Sequence, residues 1–314
     1  MQLKALSYYD GDKDTRYGDC ILLYDTTSLV VYDCGHIRHA EATEALLLEN
    51  PSIKQIHIVV SHNDSDHTNG ACDLLSWLDS KAKYAVSVYT HQYLKHVDTI
   101  LDKVNDKRRT RESLKIALLE EFDNIKEIIE SAEGYGFSAV EALKGTIVGN
   151  CTIVGPTEDE FTDVAAKAVD NRTNDVIGEG HAEETVMNAA SVQLTCKLKN
   201  FETILLCGDA SPSYLHSIDN YDIIQLPHHG QLEDAQAIFE TLRDPYAKKY
   251  FISDNTGSGA TSGGSEKVTK YMNDERLSSA MNTKTGVVNY PKAGSTNMPN
   301  KLQGVTLGEM DFKC

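Results

Sequence analysis

Within "SHNDSDHTNG" (residues 61–70) the side chains of His62, Asp64, Asp66 and His67 follow the spacing H-x-D-x-D-H. Imidazole and carboxylate are ligand groups for divalent metals, and two carboxylates this close repel each other unless a cation neutralises them. A polar turn would use some of the same residues, because Asp and Asn favour turns and Thr68 or Asn69 could cap a following helix. Two other stretches weigh toward metal. "ETILLCGD" is an apolar run ending in Gly208 and Asp209, and "DIIQLPHHG" is another ending in His228, His229 and Gly230. If the three strand ends share one edge, their carboxylates and imidazoles converge. The chemistry of such a cluster is hydrolysis, since a metal centre acidifies water and polarises a phosphoryl or carbonyl oxygen.

The elements that must position these residues can be read from the surrounding pattern. Residues 3–8, "CILLYD", "SLVVYD", "IHIVV" and "YAVSVY" are short β-branched and aromatic runs separated by "DGDKD", "TTS" and "DCGH", which predicts a first group of strands. From about 92 to 139 the apolar spacing becomes helical and the charge density high, which predicts a helical insertion. "TIVGNCTIVGP", "SVQLTCKL", "ETILLCGD", "DIIQLP", "KYFISD" and "GVVNYP" form a second group of strands; residues 157–187 are polar, and within them "NRTNDVIGEGHAEET" (171–185) reads as a long surface loop. Two sheets packed face to face with helices outside satisfy this order. The 314 residues, 40% hydrophobic, are expected to form one domain over 1–314.

No apolar run approaches the roughly 20 residues needed to span a bilayer, and the start does not read as a signal peptide, so a soluble, cytoplasmic protein is expected. Seven scattered cysteines without CxxC pairs read as reduced thiols. The net charge of −17 argues against nonspecific coating of nucleic acid. It leaves room for a local cationic groove, and "DKVNDKRRTRESLK" gathers Lys103, Lys107, Arg108, Arg109, Arg111 and Lys115. The competing reading is a solvated helical face whose cations pair with Glu112, Glu120 and Glu121.

Taken together, these motifs resemble the metallo-β-lactamase superfamily, and within it the hydrolase domain of the ComEC/Rec2 competence proteins. "SHNDSDHTNG" is similar to that branch's SH-x-D-x-DH-x-x-G. "GDCILLYDTTSLVVYDCG" is similar to its paired opening strands, ending here at Asp33 and Gly35, and "NAASVQLTCKL", "ETILLCGDA" and "LPHHG" match its N-x-x-S, Gly-Asp and P-H-H-G elements. The resemblance implies an αββα sandwich with one or two divalent ions, Mn²⁺ or Zn²⁺ or else Mg²⁺, at one edge. It implies that His62 and Asp64 serve one metal, Asp66 and His67 the other, that Asp209 bridges, and that His229 or His228 completes the second site or protonates the leaving group. Asp66, His228 and His229 are thus the expected catalytic groups. Asp64, where most relatives carry His, makes the set more oxygen-rich and favours Mn²⁺ or Mg²⁺.

The chain departs from the family in two places. The superfamily's intermediate histidine has no good counterpart in His91, His96 or His181, and "ISDNTGSGATSGGSEKV" carries no histidine where the competence branch has a Gly-His-Pro element. Asp10, Asp12 and Asp14 are spaced like half an EF-hand loop, but Thr15 and Ile21 stand where Gly and Glu are needed. His36 and His39 read as loop histidines near the site mouth, His57 as a core or opposite-face residue, and Ser253 and Ser262 lack an evident base partner.

The leading expectation is a phosphodiesterase or nuclease acting on nucleic acid or a nucleotide. The alternatives are a small-molecule hydrolase (cyclic nucleotide, lactone or ester) and a catalytically weak metal-binding subunit of a larger assembly, with a protein partner or a second copy.

Overall fold

The strands of this protein follow the period-2 pattern on both faces, and that pattern decides the architecture. In β3 (Ser28–Tyr32) Leu29 and Val31 enter one apolar cluster while Val30 and Tyr32 enter another, and all are buried. A strand buried on both faces must be covered on both sides. The computed structural model describes residues 1–7, 18–174, 186–255 and 264–292. Asp10, Asp12, Asp14, His181, Ser262 and most of the Gly/Ser/Thr stretch lie outside them.

The remaining first-half strands are β1 (Gln2–Ala5), β2 (Ile21–Tyr24), β4 (Gln55–Val59), β5 (Ala85–Thr90) and β6 (Ser138–Glu141). The others are β7 (Ile147–Val148), β8 (Cys151–Gly155), β9 (Gln193–Lys197), β10 (Thr203–Leu206), β11 (Ile223–Gln225), β12 (Lys249–Ile252), β13 (Met281–Asn282) and β14 (Val288–Tyr290). They form two seven-stranded sheets, ordered β14-β1-β2-β3-β4-β5-β6 and β13-β12-β11-β10-β9-β8-β7. β3 to β6 run parallel, as do β10 to β13, and the other pairings are antiparallel.

The helices are α1 (Ile37–Glu49), α2 (Ser65–Thr68), α3 (Ala71–Lys81), α4 (Val97–Lys103), α5 (Arg111–Glu121), α6 (Asp123–Gly134), α7 (Glu158–Asn174), α8 (Leu232–Thr241) and α9 (Glu266–Asp274). One cluster, with Leu46, Leu74, Leu78, Ile128 and Phe161, joins the outer face of the first sheet to α1, α3, α6 and α7. A second, with Val30, Leu194, Ile204, Leu206 and Phe251, lies between the sheets. A third, with Leu205, Tyr250, Ile238 and Met272, joins the second sheet to α8 and α9. The fold is an αββα sandwich.

Three expectations are corrected. Residues 158–174 form helix α7, so the expected loop does not begin at 171 and its residues 175–185 lie outside the described ones; the helix forms because Phe161, Val164, Ala165, Ala168 and Val169 recur at helical spacing and are buried against the first sheet's outer layer. "GVVNYP" does not join the second sheet: β14 pairs antiparallel with β1, Leu3 opposite Tyr290. Several of the insertion's cations pair with carboxylates outside the expected set: Lys103 with Asp159 and Asp163, Arg108 with Asp106, and Arg111 with Asp98, while Lys115 pairs with the expected Glu112. Arg109 instead donates to the carbonyl of Val169 in α7, at 3.1 Å. No helix among the described residues is long and apolar enough to cross a membrane.

Candidate metal centre

The three ligand-bearing segments leave the sheets just beyond the ends of β4, β10 and β11. The segment after β4 is held from below by two glycines. A Cβ on Gly18 or on Gly35 would lie 1.7 Å from the carbonyl oxygen of Asp66, and Gly18 has a φ of +70°. Asp19 N donates to that same oxygen at 2.9 Å, and Cys34 N donates to the carbonyl of His67 at 3.0 Å. Backbone of this closeness needs glycine, which fixes where the Asp66 and His67 side chains emerge. The segment after β11 carries strain of its own, since His228 and His229 both sit at φ 52° in the left-handed region that non-glycine residues rarely occupy.

Asp209 is the centre of the cluster. Its Oδ2 lies 3.9 Å from His62 Nε2, 3.6 Å from His67 Nε2, 3.6 Å from His228 Nε2 and 3.9 Å from His229 Nε2. His62 Nε2 is also 3.7 Å from Asp64 Oδ2, and His229 Nε2 is 3.2 Å from Asp66 Oδ2. Two sets of donor atoms lie within metal-holding distance, His62/His67/Asp209 and Asp66/His67/His229.

The opposite ring nitrogens are fixed by second partners, and this decides which nitrogen faces the cluster. His67 Nδ1 is 2.9 Å from Asp33 Oδ2. His62 Nδ1 is 2.9 Å from Ser61 Oγ and 3.2 Å from Ser191 Oγ. His229 Nδ1 is 3.1 Å from the Ser253 carbonyl and 3.2 Å from Asp19 Oδ1, and His228 Nδ1 is 3.2 Å from Asp234 Oδ2. Imidazoles anchored through Nδ1 present Nε2 in a fixed direction, the usual support of a metal-ligating histidine.

A divalent cation fits these donors. His62 Nε2, His67 Nε2 and Asp209 Oδ1 are buried and make no hydrogen bond, which is costly for polar atoms unless something else satisfies them. The charges agree. Burial works to raise the Asp209 carboxyl, but the His67 and His229 imidazoles outweigh it and hold it well below the usual carboxylate range. Burial works to lower His67, but Asp209, Asp33 and Asp66 outweigh it and hold it well above an ordinary histidine; Asp19 and Asp209 do the same for His229. The carboxylates thus demand compensating positive charge at this point, and a bound cation would supply it in place of imidazolium protons.

His62, Asp66, His67, Asp209, His228 and His229 come together at this edge. Asp64 lies at its rim, 32% exposed, where Asn188 Nδ2 donates to its Oδ2 at 3.0 Å. His67 belongs to both donor sets. His91 is buried elsewhere, its Nε2 on the Ala190 carbonyl and its ring stacked on Phe161, and His96 lies between Glu141 and Glu158. His36 caps α1 by accepting from Arg38 N, whereas His39 is not a loop residue: it is fully buried within α1. His57 sits half-buried in β4 beside Tyr89.

Sequence reasoning passed over Asp19 and Asp234. Asp19, in "GDC", stands two residues before β2, and Asp33, in "YDCG", directly after β3; two buried aspartates ending one hairpin was the available signal. Asp234 offered none, being one of several acids in the first turn of α8.

No protein-family model matches the chain, and no curated protein matches it in sequence. Among solved structures it is similar to the metallo-β-lactamase fold protein YhfI from Bacillus subtilis, at 10% identity and a TM-score of 0.45, over 90% of this chain and 95% of that one. It is also similar to a metallo-β-lactamase with a HARLDQ motif from Cronobacter sakazakii, at 16% identity and a TM-score of 0.32, over 76% of this chain and 75% of that one.

Proposed function

We propose that this chain is a metal-dependent hydrolase of phosphodiesters, related to the ComEC/Rec2-type hydrolase domains, with its site on the edge built by His62, Asp66, His67, Asp209 and His229. One observation carries the reading: unsatisfied buried donor atoms from two strand ends, His62 Nε2 and His67 Nε2 after β4 and Asp209 Oδ1 after β10, meet where His228 and His229 arrive from a third. A divalent cation held there would polarise a phosphoryl oxygen and acidify water. Asp209, within 4 Å of four imidazoles, would hold the cluster together, and Asp66 would share the His229 side of it. His228, steadied by Asp234 and reaching the cluster through Nε2, would carry the proton for the leaving oxygen. Asp64 at the rim adds a carboxylate where a histidine would favour zinc, which supports Mn²⁺ or Mg²⁺.

A second reading, hydrolysis of a small phosphodiester or ester rather than a polymer, is favoured by the pairing of the insertion's cations with carboxylates of the chain itself. The test is hydrolysis of labelled single-stranded DNA and RNA, a cyclic dinucleotide and a chromogenic phosphodiester with Mn²⁺, Mg²⁺ and Zn²⁺. Cleavage that disappears in Asp209→Asn is the expected result. Wild-type rates in that variant, or no turnover of any phosphodiester with any of the three ions, would overturn the assignment. Within the same assay, Asp64→His should move the optimum from Mn²⁺ toward Zn²⁺; an unchanged metal profile would remove Asp64 from the ligand set.

A further inference from the structure

Three sulfur side chains meet at the end of the second sheet remote from the metal edge. Cys151 of β8 and Cys196 of β9 are register partners across an antiparallel pair, so their Cβ atoms are about 4.5–5.5 Å apart. Both belong to the inter-sheet core, 2% and 3% exposed. The thioether of Met1 packs against the same cluster, with Sδ 3.6 Å from Cys151 Sγ. Its backbone is pinned there: Met1 N donates to the Lys197 carbonyl at 3.1 Å, and Lys199 N donates to the Met1 carbonyl at 2.8 Å. β9 starts next to Ser191 and His62, and Cys196 lies at its other end, so this cluster and the His/Asp edge are separate.

Two thiols and a thioether are soft donors, suited to monovalent copper rather than to the hard or borderline ions that carboxylate and imidazole select. The Cys151 thiol donates to the Met1 thioether, and the Cys196 thiol donates to the Lys197 carbonyl beside it. Met1 is only partly buried, so one side chain separates the two thiols from solvent.

We propose that Met1, Cys151 and Cys196 form a binding site for Cu(I). Binding forms two copper–thiolate bonds and one copper–thioether bond and releases the two thiol protons to solvent, with no change of oxidation state. The site would make the chain responsive to copper at a point distinct from its hydrolytic edge.

The test uses the reduced full chain, titrated anaerobically with Cu(I) in competition with bicinchoninate. One equivalent should be withheld from the chelator by the wild type, and Cys151→Ser and Cys196→Ser should each weaken retention by about 100-fold. Cys72→Ser, a substitution between α3 and α6 where the thiol meets Ser131, should leave it unchanged. Protein grown with selenomethionine should show one selenium neighbour at the copper absorption edge. Serine variants that hold copper as tightly as the wild type, or a copper shell without selenium, would overturn the site. The absorption measurement needs no substitution, so it decides the matter even if a serine variant misfolds.

Discussion

At the scale of single residues, the structure separates carboxylates that a bound cation would neutralise from groups that only pack. Asp209 and Asp66 are of the first kind. Replacing either by Asn keeps the shape and removes the charge that offsets the metal, so both variants should fold but bind less metal, with stoichiometry read by elemental analysis; unchanged content in both would sink the assignment. His39 is of the second kind. It is buried in α1 with both ring nitrogens lacking a hydrogen-bond partner, and burial lowers its pKa to about 3. An unfolded imidazole takes up its proton near pH 6.5, whereas the folded one stays neutral until about pH 3. Between those values the unfolded chain binds more protons, so wild-type stability falls as pH falls, by up to about 1.4 kcal/mol per pH unit from this group. His39→Leu, which also removes an unsatisfied N–H, should be more stable than wild type at neutral pH, and its advantage should widen from pH 6 to pH 4 in denaturant melts. A gap independent of pH would show that His39 is not neutral in the folded state. The ligand types were legible because H-x-D-x-D-H, Gly-Asp and P-H-H-G each follow an apolar run. The anchoring partners were not, because Asp19 and Asp234 acquire meaning only when folding brings them to His229 and His228.

At the scale of elements, the helical insertion is bolted to the segment of candidate ligands by one residue inside the motif. Asn63 Nδ2 donates to the Glu121 carbonyl at the end of α5 at 3.0 Å, Ile125 N in the first turn of α6 donates to Asn63 Oδ1 at 3.0 Å, and Asn124 Nδ2 donates to the Asn63 carbonyl at 2.7 Å. The side chain satisfies backbone groups that the break between α5 and α6 would otherwise leave unpaired. Asn63→Ala strands a donor and an acceptor and should cost about 1–3 kcal/mol in a chemical melt. Because His62 and Asp64 flank it, metal affinity should fall as well. Loss of stability with unchanged metal affinity would mean that the insertion does not set the geometry of the centre. Most of the strands were legible because alternation and β-branching leave short, distinct runs, as in "SLVVY" and "TILL". α7 was not, since Glu158, Asp159, Glu160, Asp163 and Asp170 mask its apolar face in a linear reading. β14 was recognisable as a strand, but its sheet was not, because pairing with β1 joins residues 3 and 290 and no local pattern encodes that register.

At the scale of the whole molecule, a net charge of −17 decides how a charged substrate approaches. A polyanion meets repulsion that extends about 30 Å at 0.01 M ionic strength and about 8 Å at 0.15 M. A cationic track could reverse this, and the segment "DKVNDKRRTRESLK" is the place where the chain concentrates positive charge. Its Lys103, Arg108, Arg111 and Lys115 spend that charge on Asp159, Asp163, Asp106, Asp98 and Glu112, while Arg109 anchors the segment to α7. Exposed pairs of this kind contribute little stability, but they cancel the local field that would attract phosphates. Cleavage of single-stranded DNA at sub-saturating concentration should therefore speed up as ionic strength rises from about 0.01 to 0.1 M, as screening removes the repulsion. A chromogenic phosphodiester with a single charge should change far less. Arg108→Ala should not flatten either salt profile, since it removes a cation that Asp106 already cancels and leaves that carboxylate uncompensated. If DNA cleavage instead falls steeply with salt, with a log–log slope near −0.7 for each phosphate contact, and Arg108→Ala flattens that slope, then the insertion contacts the polymer despite its internal pairs.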